Sequence, residues 1–194
     1  MWVMNTSIFL RRLFEGYVKN FRSFNWHVSS NYADITSAEL NHFSLIGKSL
    51  GYLVRREMNW NYPRDLCWVL GENNDKEAYL YLERENKDSR MLHTIKKMLE
   101  RDNSKDIHIL VASFGHLKPE SFVAASELLR NGILNHQSAL LFAWIGENEN
   151  SSEFSVKAHI VTSENVEEYE AIPYIGKDGY WNIELTYEQS QEQV

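Results

Sequence analysis

The chain holds one cysteine, Cys67, in 194 residues, which excludes an internal disulfide framework and a cysteine-based zinc site. Between Leu66 and Trp68, that thiol reads as a small core residue. Three prolines and nine glycines are too few and too scattered to form a linker, so a single domain over residues 1–187 is expected. No apolar run approaches the roughly 18 residues needed to span a bilayer. The start, Met1-Trp2-Val3-Met4-Asn5, lacks the charged beginning, apolar centre and small-residue cleavage site of a secretory signal. A cytoplasmic location with no membrane partner is the resulting expectation. Basic charge is scarce too: 20 Lys and Arg face 27 Asp and Glu, a net charge of −7. Proteins that bind phosphate backbones normally carry a basic patch, because neutralising phosphates and releasing counterions supplies most of the affinity. A nucleic-acid partner would therefore need a local basic region or a partner subunit. The first half of the chain offers Arg11-Arg12, Arg55-Arg56, Arg64 and Lys96-Lys97, while the acidic surplus lies largely after Glu147.

What is present is ample apolar material, 43% of residues with 13% aromatic, enough to build a sizeable core at this length. Apolar residues at helical spacing predict a first helix over residues 6–24 and a helix or helix pair over 37–57, with Gly47 and Gly51 as weak points. Residues 25–35, between them, read as a loop. A strand over 65–70, a polar turn over 71–76 and a strand running from Ala78 into the charged residues 83–87 form an antiparallel hairpin. A helix over 89–101, a strand over 107–114, a helix from Pro119 to about 131, and strands over 138–145, 153–162 and 181–187 follow. The tail over 188–194 is expected to be disordered. Helices alternate with strands while the hairpin is antiparallel, so the fold class expected is α/β with a mixed sheet flanked by helices.

The chemistry concentrates at one end of that hairpin. Alternate side chains of an extended strand share a face, which sets Tyr79, Tyr81, Glu83, Glu85 and Lys87 on one side. Folding about the turn brings Asp65 opposite Leu82 and Glu83. Three carboxylates gathered there, Asp65, Glu83 and Glu85, are costly unless a cation sits among them. Oxygen ligands with no histidine or cysteine cluster favour magnesium or manganese over zinc. Such an ion, held by two or three of these carboxylates, would polarise a phosphoryl oxygen and lower the pKa of an attacking water. Lys87 would orient that water or neutralise developing charge.

Pro63-Arg64-Asp65 followed on the next strand by Glu83-Arg84-Glu85 resembles the PD-(D/E)xK superfamily, the restriction-endonuclease-like nucleases. That family's core is a helix, a three-stranded antiparallel meander, a helix and a further strand, and the order of elements over residues 36–145 is similar. The resemblance implies that the first helix of this chain lies outside that core, as do its last strands. It implies metal-dependent hydrolysis of DNA phosphodiesters, with Asp65 and Glu83 as ligands, Glu85 or Lys87 positioning water, and Glu39 as a third carboxylate from the helix. Two registers stay open, Glu83-x-Glu85 and Glu85-x-Lys87. A homodimer or a partner subunit is compatible with it. So is a catalytically inactive member of the fold that serves as an interaction or scaffold module.

Each residue also has a plainer reading. Glu83, Glu85 and Lys87 suit the solvated face of a strand, Asp65 suits a turn, and Thr36-Ser37-Ala38-Glu39 is a capping box. Leu45-Ile46-Gly47-Lys48-Ser49 ends like a phosphate-binding loop, but His42 stands where that loop requires glycine. No HExxH occurs.

Overall fold

The computed structural model describes residues 5–24, 32–56, 65–70, 78–99, 108–133, 138–147 and 154–186. The expected turn over 71–76 and the tail over 188–194 lie outside the described residues. Among the described residues eight strands form one mixed sheet in sequence order, β1 (Leu53–Arg56), β2 (Leu66–Val69), β3 (Ala78–Glu85), β4 (Ile109–Leu117), β5 (Ser138–Ile145), β6 (Ser155–Thr162), β7 (Val166–Ile175) and β8 (Trp181–Thr186). The run β3–β4–β5 is parallel and every other neighbour pair is antiparallel. Two crossovers produce the parallel run, through helices α3 (Met91–Leu99) and α4 (Pro119–Gly132). Helices α1 (Thr6–Asn20) and α2 (Tyr32–Ser49) cover the other face.

The two layers follow from the period-two alternation of the strands. Leu66, Trp68, Leu80, Leu82, Ile109, Val111, Leu140 and Phe142 pack with Phe9, Leu13, Phe14, Tyr17 and Phe43 from α1 and α2. Their sequence neighbours Cys67, Tyr81, Leu110, Ala112 and Leu141 turn to Met91, Ile95, Met98, Phe122, Ala125 and Leu129 from α3 and α4. Both faces of β4 and β5 are therefore buried, which is why those strands read as continuous apolar runs.

Several boundaries differ from the sequence expectation for identifiable reasons. The first helix gives way to a 3-10 turn at Phe21–Phe24. Helix α2 begins at Tyr32, inside the expected loop, and ends eight residues short of position 57. Gly51, at φ 88°, is what stops it. Its N–H donates to Lys48 O and that of Tyr52 to Gly47 O, both at 3.0 Å, a left-handed cap that only glycine adopts cheaply. The chain then turns into β1, a strand that helical periodicity hides. Strand β7 escapes the sequence reading because Val166-Glu167-Glu168-Tyr169-Glu170 puts charge on a strand whose neighbours, not its own hydrophobicity, hold it in place. Tyr79 also departs from the expected face. The ladder between β2 and β3 slips between Trp68 and Val69, and Tyr79 packs with Phe9 and Tyr52 on the α1 side instead of beside Tyr81.

Candidate functional site

The hairpin register places Leu66 opposite Leu82, so Asp65, one step earlier, stands at the level of Glu83 and Arg84. Asp65 Oδ2 accepts from the Arg84 backbone N–H at 2.7 Å. Burial raises the Asp65 pKa above 3.8, opposed by that hydrogen bond and by Lys97, and assisted by the charge of Glu85. Asp65 is thus an anion held in a partly dehydrated position, with Lys97 and Glu85 near enough to feel it.

Glu83 is buried and turns toward α3, where Lys97 Nζ meets its Oε2 at 2.7 Å. Lys97 is the residue that sequence reasoning misses. Helical spacing assigns it to an outward face, yet the crossover from β3 to β4 lays α3 antiparallel beside β3. The available signal is the spacing: Arg90 and Lys97 are seven residues apart, about two helical turns, and so fall on one side of the helix, the side that meets Glu85 and Glu83. Arg90 Nη1 lies 3.9 Å from Glu85 Oε2. Glu85 Oε1 accepts from the backbone N–H groups of Asn86, at 2.8 Å, and Lys87, at 3.1 Å. Glu85 therefore caps its own turn, while the Lys87 side chain is exposed before the 3-10 turn Asp88–Arg90.

Glu39 is in the other layer. Arg84, flanked by Glu83 and Glu85, points through the opposite face of β3 and forms an ion pair from Nε to Glu39 Oε2, with Arg84 0% and Glu39 2% exposed. Tyr17 Oη donates to Glu39 Oε1 at 2.8 Å and Ser113 Oγ to Oε2 at 3.2 Å. Burial and the Glu39 charge hold the Tyr17 pKa well above 10, so its proton stays in place to donate. Arg84 Nη1 donates to Glu85 O at 2.7 Å, whereas Nη2 has no acceptor among the described residues. Gly115 makes room for this guanidinium, since a Cβ there would lie 3.1 Å from both Nη atoms and 2.7 Å from Asn86 Oδ1.

The expected convergence of three carboxylates is thus corrected. Among the described residues no group of three or more His, Cys, Asp and Glu side chains could hold a metal ion. Asp65 stands at the level of Glu83, which pairs with Lys97; Glu85 accepts from its own turn, the Lys87 side chain is exposed, and Glu39 is paired with Arg84. The phosphate-loop look-alike lies inside α2, as its helical spacing predicts. No helix among the described residues is long and apolar enough to cross a membrane.

No family model and no curated protein matches the sequence. Among solved structures the chain is similar to the central domain of yeast acetyl-CoA carboxylase, at a TM-score of 0.35 and 9% identity over 75% of this chain. The chain spans about a quarter of that structure's length, 26%.

Proposed function

We propose that the protein is a metal-dependent phosphodiester hydrolase of the PD-(D/E)xK type acting on DNA, with Asp65 and Glu83 as the ligand pair and Lys97 as the ammonium of the site. One observation carries the reading: the β2–β3 register, continued one step past Leu66 and Leu82, sets Asp65 level with Glu83, and Lys97 from α3 pairs with Glu83 and lies near enough to Asp65 to act on its charge. The element order supports it, because α2, the antiparallel strands β1–β3, α3 and the parallel strand β4 follow one another as in that superfamily's core.

Magnesium keeps several waters and takes one or two protein carboxylates, so the pair Asp65 and Glu83 fits such an ion. Glu39 does not fit, since Arg84, Tyr17 and Ser113 already occupy both of its oxygens. When bound, the ion would polarise the phosphoryl oxygen and acidify a water. Asp65 contributes a carboxylate whose burial makes a nearby cation welcome. Lys97 rests on Glu83 and is placed to transfer its hydrogen bonds to charge that develops on a phosphoryl oxygen. Lys97 rather than Lys87 takes this role, because the Lys87 side chain is exposed outside the site.

A second reading is a non-catalytic member of the same fold, serving as an interaction or scaffold subunit. The Lys97–Glu83 pair favours it, for an ammonium at 2.7 Å already offsets one of the two carboxylates without an ion. Manganese titration followed by melting, and plasmid nicking with Asp65→Ala, Glu83→Ala and Lys97→Met beside the parent, separate the two. The hydrolase reading expects a manganese-dependent rise in Tm, nicking by the parent, and loss of at least about 100-fold in each variant, the usual scale for a positioned charge or proton-transfer group. Stabilisation by manganese with no nicking would leave the scaffold subunit.

A further inference from the structure

The exposed side of α3 carries Leu92 and, on the arc next to the candidate site, only positive or titratable polar groups. At 3.6 residues per turn, Lys96, His93, Lys97 and Arg90 fall in that order within about one third of the helix circumference. Arg90, in the 3-10 turn leading into α3, and Lys97 form the edge that touches Glu85 and Glu83. His93 and Lys96 continue outward from it and are exposed. The opposite stripe, Met91, Thr94, Ile95 and Met98, is buried on the sheet, so the orientation of the helix is set by its core. Helix α3 contains no acid. Among the described residues the acids beside the arc are engaged: Glu83 by Lys97, Glu85 by its turn, Asp65 by the Arg84 backbone N–H, and Asp88, whose Oδ1 accepts from Lys118 N at 3.0 Å. In a chain of net charge −7, whose β7 carries Glu167, Glu168 and Glu170, an acid-free cationic arc beside paired carboxylates is a local reversal of sign.

We propose that this arc is the track on which a nucleic-acid strand lies, its phosphates against Arg90, His93 and Lys96 so that one phosphodiester reaches Asp65, Glu83 and Lys97. The inference rests on the hydrolase reading for the identity of the strand. Seven residues of helix rise about 10 Å, and phosphates in one strand of a duplex advance about 3.4 Å each, so the arc spans about three phosphates. The track meets the backbone alone and carries no base selectivity.

Fluorescence anisotropy of a labelled single strand and of its duplex, in EDTA over a several-fold range of NaCl, tests the track without cleavage. The full chain, the double variant Arg90→Gln/Lys96→Gln, and Lys48→Gln from the opposite layer are compared. The parent is expected to bind with a steep salt dependence that Lys48→Gln preserves. The double variant should bind roughly tenfold more weakly at the lowest salt. Its slope should fall by about 0.7 to 0.9 for each phosphate that is no longer neutralised. Equal affinity and slope in parent and double variant overturn the track, and parental nicking that needs Asp65 would then leave the hydrolase reading standing. No binding by the parent overturns the track as well, while the nicking and manganese experiments judge the site independently. Circular dichroism of each variant confirms that a weakened signal does not come from unfolding.

Discussion

Replacing Glu39 by alanine should remove much of the protein's stability margin without any metal being present. The Arg84 guanidinium would be left wholly buried, 0% exposed, with the Glu85 carbonyl as its remaining acceptor. Removing one member of a buried ion pair costs about 3–5 kcal/mol, because the orphaned charge keeps its desolvation penalty. Tyr17 Oη and Ser113 Oγ lose their acceptor as well, which places the expectation toward the upper end. For a chain of this size that corresponds to a fall in Tm of roughly 10 °C or more. Arg84→Met should cost less, since Glu39 keeps two hydroxyl donors. The double variant Glu39→Ala/Arg84→Met should recover at least about 2 kcal/mol relative to the sum of the single changes, as expected of groups in one network. Urea unfolding in EDTA measures all four free energies. Single losses below about 1 kcal/mol, or strict additivity, would refute the buried-pair argument. A Glu39→Ala variant stable in EDTA but blind to manganese would instead make Glu39 a ligand.

Gly47→Ala tests packing against propensity. Alanine gains about 1 kcal/mol of helix preference over glycine, yet its Cβ would sit 2.6 Å from the Trp68 indole nitrogen, and overpacking of that kind costs about 1–3 kcal/mol. Net destabilisation in urea is expected; a more stable variant would show that Trp68 can yield. His42, with its ring between Phe24 and Phe43, has its pKa pushed down to about 4 by burial. The folded state therefore binds its proton less readily than the unfolded chain, whose pKa is 6.5, and stability is lost as pH falls from 6.5 through about 4. The loss approaches ~3 kcal/mol at the acid end, and His42→Phe should flatten that limb of a Tm-versus-pH curve. Asp65 has the opposite sign. With its folded pKa raised above 3.8, it stabilises only below that value and detracts as pH rises through the folded pKa. Asp65→Asn should melt higher than the parent at pH 8 in EDTA, with the gap closing toward pH 4, while losing any response to manganese. A gap that persists at pH 4 would count against desolvation as the cause.

Alternation and helical spacing are enough to mark the hairpin, α1, α3, α4 and β5, because in each the buried stripe is written in consecutive side chains. The register that sets Asp65 level with Glu83 is legible for the same reason, since a two-residue period plus a turn fixes which residues of the two strands face each other. By itself, then, the sequence determined the hairpin and the strands whose own side chains alternate or are apolar throughout, and with them the level of Asp65. It did not determine which layer each charge would enter. Glu83 and Arg84 are neighbours in the chain but separate by 180° about the strand, so one meets Lys97 and the other Glu39. Only the tertiary structure brings α3 to one side and α2 to the other, since partners 14 and 45 positions away are chosen by how the crossovers pack and not by local pattern. Strand β1 was hidden likewise, because Gly51 ends a helix whose apolar spacing alone would let it run on.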